Sequence, residues 1–280
     1  VTEHKCILES CKFLEKIGFK VSYLKVDKTG NININKLKKL ITKSTFLISL
    51  MAVNNEIGTI HPLKIIGKIC KEKNIIFHTD ASQAIGKVNF NVNSLNIDLA
   101  SFSSHKIHGP QGIGALYIRK KPKMKLVPLF SGGGQEHGLR SGTLPTALCV
   151  GFGKAFEYII NEKKNNLKRI SNLRNIFLKI LKTKKINFFL NGEETVPNNI
   201  NITFPDIQGE YLFSKLDGIS LSSGSACGSG SGEPSYVLNE IGLNKTEASS
   251  TLRIGIGKNN TDKEMKLCAL KISKILNGKK

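Results

Sequence analysis

No run of apolar residues in the 280-residue chain reaches the roughly 18 to 20 that a membrane-crossing helix needs, so no membrane partner is expected. The cysteines, at positions 6, 11, 70, 149, 227 and 268, include no CxxC pair. Their spacing suits neither a zinc site nor a disulfide framework and points to a reducing compartment. Aromatic residues make up only 7%, and no nucleic-acid motif is present. Acidic residues are scarce, 21 against 42 Lys+Arg, for a net charge of +21. Such an excess can mark an anionic partner. Here the lysines are spread along the whole chain, so solvated basic faces are the better reading and no direct nucleic-acid partner is expected. There is no internal repeat. The first residue is Val1, not Met, and a fragment or processed form is expected, with no targeting segment to read.

What is present is 40% hydrophobic residues, enough for a sizeable core. The first half alternates amphipathic helices with short apolar strands. Helices are predicted over 5–17, 35–43 and 62–73. Strands are predicted at FKVSYLKV, FLISLMAV, NIIFHTDA, IDLASFSS and IGALYIRK. That alternation predicts an α/β large domain with a mostly parallel sheet. Helices over 144–165 and on to 181 follow, with Cys149 read as core and Cys70 and Cys268 as structural. The strands INFFL, NINITF and LRIGIG, a helix over 209–216 and a C-terminal helix predict a smaller α+β domain. The boundary is placed near residue 163, dividing the chain into 1–163 and 164–280.

Ligands of open α/β sheets sit beyond the carboxyl ends of the strands. Three polar clusters fall there: NNE at 54–56, HTDASQ at 78–83 and SSHK at 103–106. A buried carboxylate such as Asp80 needs a positive partner, and a protonated heteroaromatic nitrogen would serve. Lys106, beside Ser103 and His105, is placed to form a Schiff base with a carbonyl cofactor. An amine and a carboxylate at neighbouring strand ends are what a pyridoxal-phosphate site requires. Read singly, Asp80 is better taken as a loop-start carboxylate and Lys106 as a surface lysine; only together do they weigh evenly for a cofactor site.

HTDASQ, SFSSHKIHGPQGIGALY, GGGQEHGLRSGT and SSGSAC…EPSYVL together resemble the motifs of cysteine desulfurases of the IscS/NifS type. These are pyridoxal-phosphate-dependent, fold-type I enzymes of the class V aminotransferase family. The resemblance runs from TEHK to LRIGIG. The family begins well upstream of TEHK, so its pattern implies further N-terminal strands and a phosphate-cradling Gly/Thr turn beyond these 280 residues. It often also continues past the final helix into a tail that docks the scaffold protein. The resemblance implies that Lys106 carries the cofactor and transfers protons. It implies that Asp80 pairs with the ring nitrogen, Gln83 with the phenolic oxygen, and that His4 stacks on the ring. Ser103, His105 and Thr143 would bind the phosphate, Thr143 from the second subunit of a homodimer. Asn55 and Arg253 would hold the carboxylate of L-cysteine.

The same resemblance makes Cys227 the nucleophile that takes the substrate's sulfur, leaving L-alanine. Its Ser/Gly-rich surroundings, SSGSACGSGSGEPS, suit a swinging arm, and His105 is one candidate for the base that activates it. The resemblance implies delivery to an iron–sulfur scaffold protein and other acceptors, including those of tRNA thiolation. A metal contact is expected at Cys227 only during cluster transfer. The expected location is the cytoplasm, or alternatively a mitochondrial or organellar matrix. Two other readings stay open: a different lyase of this fold, such as selenocysteine lyase, and a non-catalytic chain that acts by binding.

Overall fold

The computed structural model describes residues 1–120, 124–223 and 235–278. In chain order the elements are α1 (Lys5–Lys16), α2 (Ile34–Leu40), β1 (Leu47–Ser49), α3 (Leu63–Lys73), β2 (Ile76–Asp80), β3 (Leu99–Ser103) and β4 (Gly114–Ile118). Then come α4 (Thr146–Asn161), α5 (Lys163–Thr183), β5 (Phe189–Leu190), β6 (Asn199–Thr203), α6 (Gly209–Lys215) and β7 (Ser222–Ser223). The chain closes with α7 (Tyr236–Glu240), α8 (Lys245–Ser249), β8 (Thr251–Gly255) and α9 (Asp262–Asn277). They group into two compact units, residues 44–52 with 62–163, and residues 1–43 with 53–61 and 164–280.

The unit of 44–52 and 62–163 is built on a sheet in the order β1-β2-β3-β4. β1 and β2 are parallel, as are β2 and β3, while β4 returns antiparallel to β3. The parallel alignment continues past β1, where Leu50 and Ala52 donate to the carbonyls of His78 and Asp80. The crossover from β1 to β2 runs through α3, and the one from β2 to β3 through the loop of residues 81–98. Phe77, Ala100, Ile97 and Ile66 are fully buried between sheet and cover. α3 lies close because Gly67 leaves no Cβ: one built there would stand 1.8 Å from the Leu95 carbonyl oxygen. Its C-cap Asn74 takes the left-handed conformation, φ 54°, that asparagine tolerates. Arg119 ties the 92–98 loop shut through the carbonyls of Val92 and Ile97 and through Asp98 at 3.1 Å. α4 has no fully buried residue: Val150 is 67% exposed, and Cys149, expected in the core, is half-buried.

The other unit carries the sheet β5-β6-β8-β7, antiparallel throughout. All five residues of β6 are buried. Ile200 and Ile202 pack with Phe204, just past β6, and with Phe177, Leu212, Leu252 and Ile272 from α5, α6, β8 and α9. The alternate asparagines and Thr203 face a polar interior. α8 and α9 start on reciprocal capping boxes, Asn244 with Glu247 and Thr261 with Glu264. FKVSYLKV is not a strand, because no neighbouring strand is present to complete a ladder among the described residues. Only Val26 pairs, with Ile32, across the Asp27 turn.

Candidate active site

In the unit of 44–52 and 62–163, the parallel strands β2 and β3 end on the same sheet edge. Asp80, the last residue of β2, is the register partner of Ser101. Its Oδ1 accepts from the Ser82 amide at 2.9 Å, and no hydrogen bond reaches Oδ2 among the described residues. Two residues earlier His78 is held across the sheet: Nδ1 lies 2.7 Å from Ser49 Oγ and Nε2 2.9 Å from Ser101 Oγ. Burial pushes the His78 pKa down, against the pull of Asp80. A neutral ring with one donor and one acceptor nitrogen therefore stitches β1, β2 and β3 together just before the carboxylate.

β3 ends in Ser103 and passes into a 3-10 turn, Ser104–Ile107, that carries His105 and Lys106. The turn closes because His108 adopts φ 65° and Gly109 donates to the Ser104 carbonyl at 3.1 Å. A Cβ on Gly109 would lie 2.2 Å from Ser104 Oγ, so the turn needs glycine at that position. Ser103 Oγ and His105 Nδ1 are 3.0 Å apart, and His105 and Lys106 are exposed. The hydroxyls of Thr79 and Ser104 are buried without a partner among the described residues. The turn after β2 brings Gln83 to this group, its amide oxygen accepting from the Lys87 ammonium. One strand edge thus offers a carboxylate, an accessible amine, a paired hydroxyl and imidazole, and an amide. It can hold an anionic cofactor that bears a carbonyl and a protonated ring nitrogen.

Thr143 belongs to the same unit but to a separate exposed segment. Residues 130–143 wrap an open concavity of about 510 Å³ lined by Phe130, Gln135, Arg140 and Thr143. Gln135 Oε1 accepts from the Gly142 amide at 3.0 Å and Arg140 bonds the Gly142 carbonyl. No hydrogen bond joins Thr143 to the Asp80–Lys106 group among the described residues.

His4, Asn55 and Arg253 lie in the other unit. His4 caps α1: its Nδ1 accepts from the Cys6 amide at 3.3 Å and lies 3.0 Å from Cys6 Sγ. Asn55 sits in a turn built by its neighbour, since Asn54 Oδ1 accepts from the amides of Glu56 and Ile57. Asn54 also donates to the Thr2 carbonyl at 2.9 Å. The Asn55 Oδ1 atom is buried without a partner among the described residues. Arg253, on β8, donates to Ser222 Oγ at 3.2 Å. The Arg253 charge also bears on Glu56, whose carboxylate is 3% exposed and accepts from the Ser235 hydroxyl. Burial pushes the Glu56 pKa up. The Glu56 carbonyl accepts from Asn199 at 2.8 Å and Asn201 at 3.1 Å, anchoring the turn to β6.

Cys227 lies outside the described residues, as does the Ser/Gly segment expected to swing. Among the described residues no group of three or more His, Cys, Asp and Glu side chains could hold a metal ion. Also among them, no helix is long and apolar enough to cross a membrane. Sequence reasoning singled out NNE as a cluster but passed over Asn54 and Glu56 individually. It also passed over Lys87, whose contact with Gln83 is made across a turn that no helical spacing marks.

The family model for aminotransferase class-V matches residues 1–267. A cysteine desulfurase IscS of Rickettsia prowazekii is 49% identical over 267 residues, 95% of this chain and 65% of the relative. A mitosomal cysteine desulfurase of Trachipleistophora hominis is 51% identical over 270 residues, 94% of this chain and 61% of the relative. A solved NifS-like protein superposes with a TM-score of 0.89 at 38% identity, covering 99% of this chain and 73% of that one. The chain belongs to the class V aminotransferase family and has its α/β, fold-type I architecture. It spans just under two thirds of the length of the two curated desulfurases it matches here.

Proposed function

We propose that this chain is a pyridoxal-phosphate-dependent cysteine desulfurase. Its strongest support within the structure is the register of β2 and β3, which brings Asp80 and the turn bearing Lys106 to one sheet edge. The residues present fit the cofactor. Asp80 keeps a carboxylate oxygen open for a protonated ring nitrogen, and Lys106 is an accessible amine for the aldehyde. Ser103, His105 and Thr143 would serve the phosphate, Thr143 from a second copy, and His4 would lie against the ring. When bound, pyridoxal phosphate supplies an electron sink that lets the Cα–H and Cβ–S bonds of the substrate be broken.

The chain's own residues do the rest. Asn55 and Arg253 hold the substrate carboxylate, Arg253 through its planar fork. Lys106 moves the proton from Cα. The Cys227 thiolate, with His105 as a candidate base, attacks the substrate sulfur. The sulfur–sulfur bond forms as the carbon–sulfur bond breaks, and its electron pair returns to carbon. Protons complete L-alanine, and Cys227 carries the persulfide. An iron–sulfur scaffold protein and the acceptors of tRNA thiolation would receive that sulfur, with a metal contact at Cys227 only during cluster transfer. A homodimer is supported by the exposed apolar side chains Val127, Leu129, Phe130, Leu139 and Val150 around the 130–143 segment. The location that suits a free nucleophilic thiol is the cytoplasm or an organellar matrix.

The test titrates the 280-residue chain with pyridoxal phosphate and follows visible absorption, then measures alanine and sulfide release from L-cysteine. A visible band that Lys106→Ala abolishes is the expected result. Cys227→Ala should keep the band and lose sulfur release. A chain that stays colourless acts by binding alone. Sulfur release that survives Cys227→Ala makes it a lyase of another kind, such as a selenocysteine lyase.

A further inference from the structure

Lys87 belongs to no role described above, yet it is tied to one of the cofactor positions. The turn after β2 is closed by backbone hydrogen bonds: Ala84 donates to the Ala81 carbonyl, and Lys87 and Val88 both donate to that of Ala84. Gln83 and Lys87 are brought together across this turn. The turn is held from two further sides. At Gly86, φ 76°, a Cβ would stand 2.3 Å from Ile159, and Lys163 donates to the Val88 carbonyl at 2.7 Å. Within this frame the Lys87 ammonium bonds Gln83 Oε1.

An ammonium has three donors and no acceptor, so it can engage only the oxygen end of an amide. The Gln83 amide is thereby turned with its nitrogen free to donate elsewhere. A glutamine without such a neighbour can present either end.

We propose that Lys87 is a positioning residue that fixes the Gln83 amide so that its nitrogen, not its oxygen, faces the phenolic oxygen of pyridoxal phosphate. The inference rests on the cofactor reading above. Its second support is electrostatic. Burial, with a smaller push from the Lys106 charge, lowers the Lys87 pKa to about 8. Two cations set close together without the ligand welcome an anionic one. A cation beside the phenolic oxygen also favours its ionised form.

The experiment measures cofactor affinity, the pH midpoint of the visible band and the melting temperature of cofactor-free protein. It compares wild type, Lys87→Met, Lys87→Arg, Gln83→Leu and the Gln83→Leu/Lys87→Met double variant. Lys87→Met should weaken cofactor binding roughly tenfold, the scale of one charge-assisted hydrogen bond. The band's midpoint should move to higher pH by about half to one unit, because a cation that opposed protonation is gone. Cofactor-free melting should not fall, since a like-charge pair is relieved. Lys87→Arg keeps a donor-only contact and should retain most of the affinity. In the Gln83→Leu background, Lys87→Met should add little.

Equal affinity and midpoint in wild type and Lys87→Met overturn the proposal. So does a full, additive effect in the Gln83→Leu background. If Lys87→Met and Lys87→Arg both lower cofactor-free melting and leave affinity unchanged, Lys87 is structural and the proposal fails. A wild-type chain with no visible band removes the cofactor reading itself, a result distinct from the others.

Discussion

Ser235 donates its hydroxyl proton to the buried carboxylate of Glu56, although 179 residues separate them in the chain. The same Ser235 oxygen caps α7 by accepting from the Val237 amide at 3.1 Å. One hydroxyl thus joins the NNE turn to the first described residue after the segment that carries Cys227.

The burial that raises the Glu56 pKa makes stability depend on pH in a definite direction. A carboxyl group whose pKa is higher in the native than in the unfolded state binds an extra proton when folded. Its contribution is fully present below the ordinary carboxylate range, near pH 4.5, and is lost as pH rises through the raised native value. In Glu56→Gln that loss should vanish. Denaturant midpoints of the two proteins, measured across pH 4 to 8, should therefore move in the variant's favour as pH rises. Parallel curves would contradict the assignment.

His61 works in the opposite sense. It is 4% exposed, its Nδ1 lacks a partner among the described residues, and burial lowers its pKa to about 4. A group with a depressed native pKa contributes stability above its ordinary value, near 6.5, that disappears as pH falls through about 4. The loss should approach about 3 kcal/mol. His61→Leu should flatten the acid limb of the stability curve between these pH values, as read by chemical denaturation.

Two glycines in helices should respond with opposite signs. A Cβ at Gly67 would meet the Leu95 carbonyl oxygen at 1.8 Å, and backbone there cannot yield as a side chain would. Gly67→Ala should destabilise by roughly 3 kcal/mol. At Gly153 in α4 a Cβ meets nothing within 4 Å. Gly153→Ala should stabilise by about 0.5–1 kcal/mol through helix propensity. Urea unfolding of the two variants checks both.

Arg253→Lys tests the proposed carboxylate clamp. Lysine keeps the charge but loses the planar fork, so KM for L-cysteine should rise about tenfold or more with a smaller fall in kcat. The visible band of the cofactor should be unchanged. A band lost along with activity would place Arg253 elsewhere.

Much of this was legible beforehand. Continuous apolar strands such as IIFHTD and LASFS, each ending in polar residues, marked a parallel sheet and the edge that carries Asp80 and the turn bearing Lys106. FKVSYLKV looked equally convincing and is no strand, because a strand exists only where a neighbour completes its hydrogen bonds. Cys149 looked like core because ALCVGF is apolar, yet α4 leaves Val150 and its surroundings outward. Apolar composition says a residue favours burial, not which surface covers it.

By itself the sequence determined the residue types, the strand–turn order and the motif spacing that place this chain in its family, since these follow from local patterning. Only the tertiary structure decided which partners those residues took. Asn54 shaping the turn for Asn55, Ser235 reaching Glu56, His78 stitching three strands and Lys87 turning the Gln83 amide depend on backbone register and approach. No period or propensity records those distances.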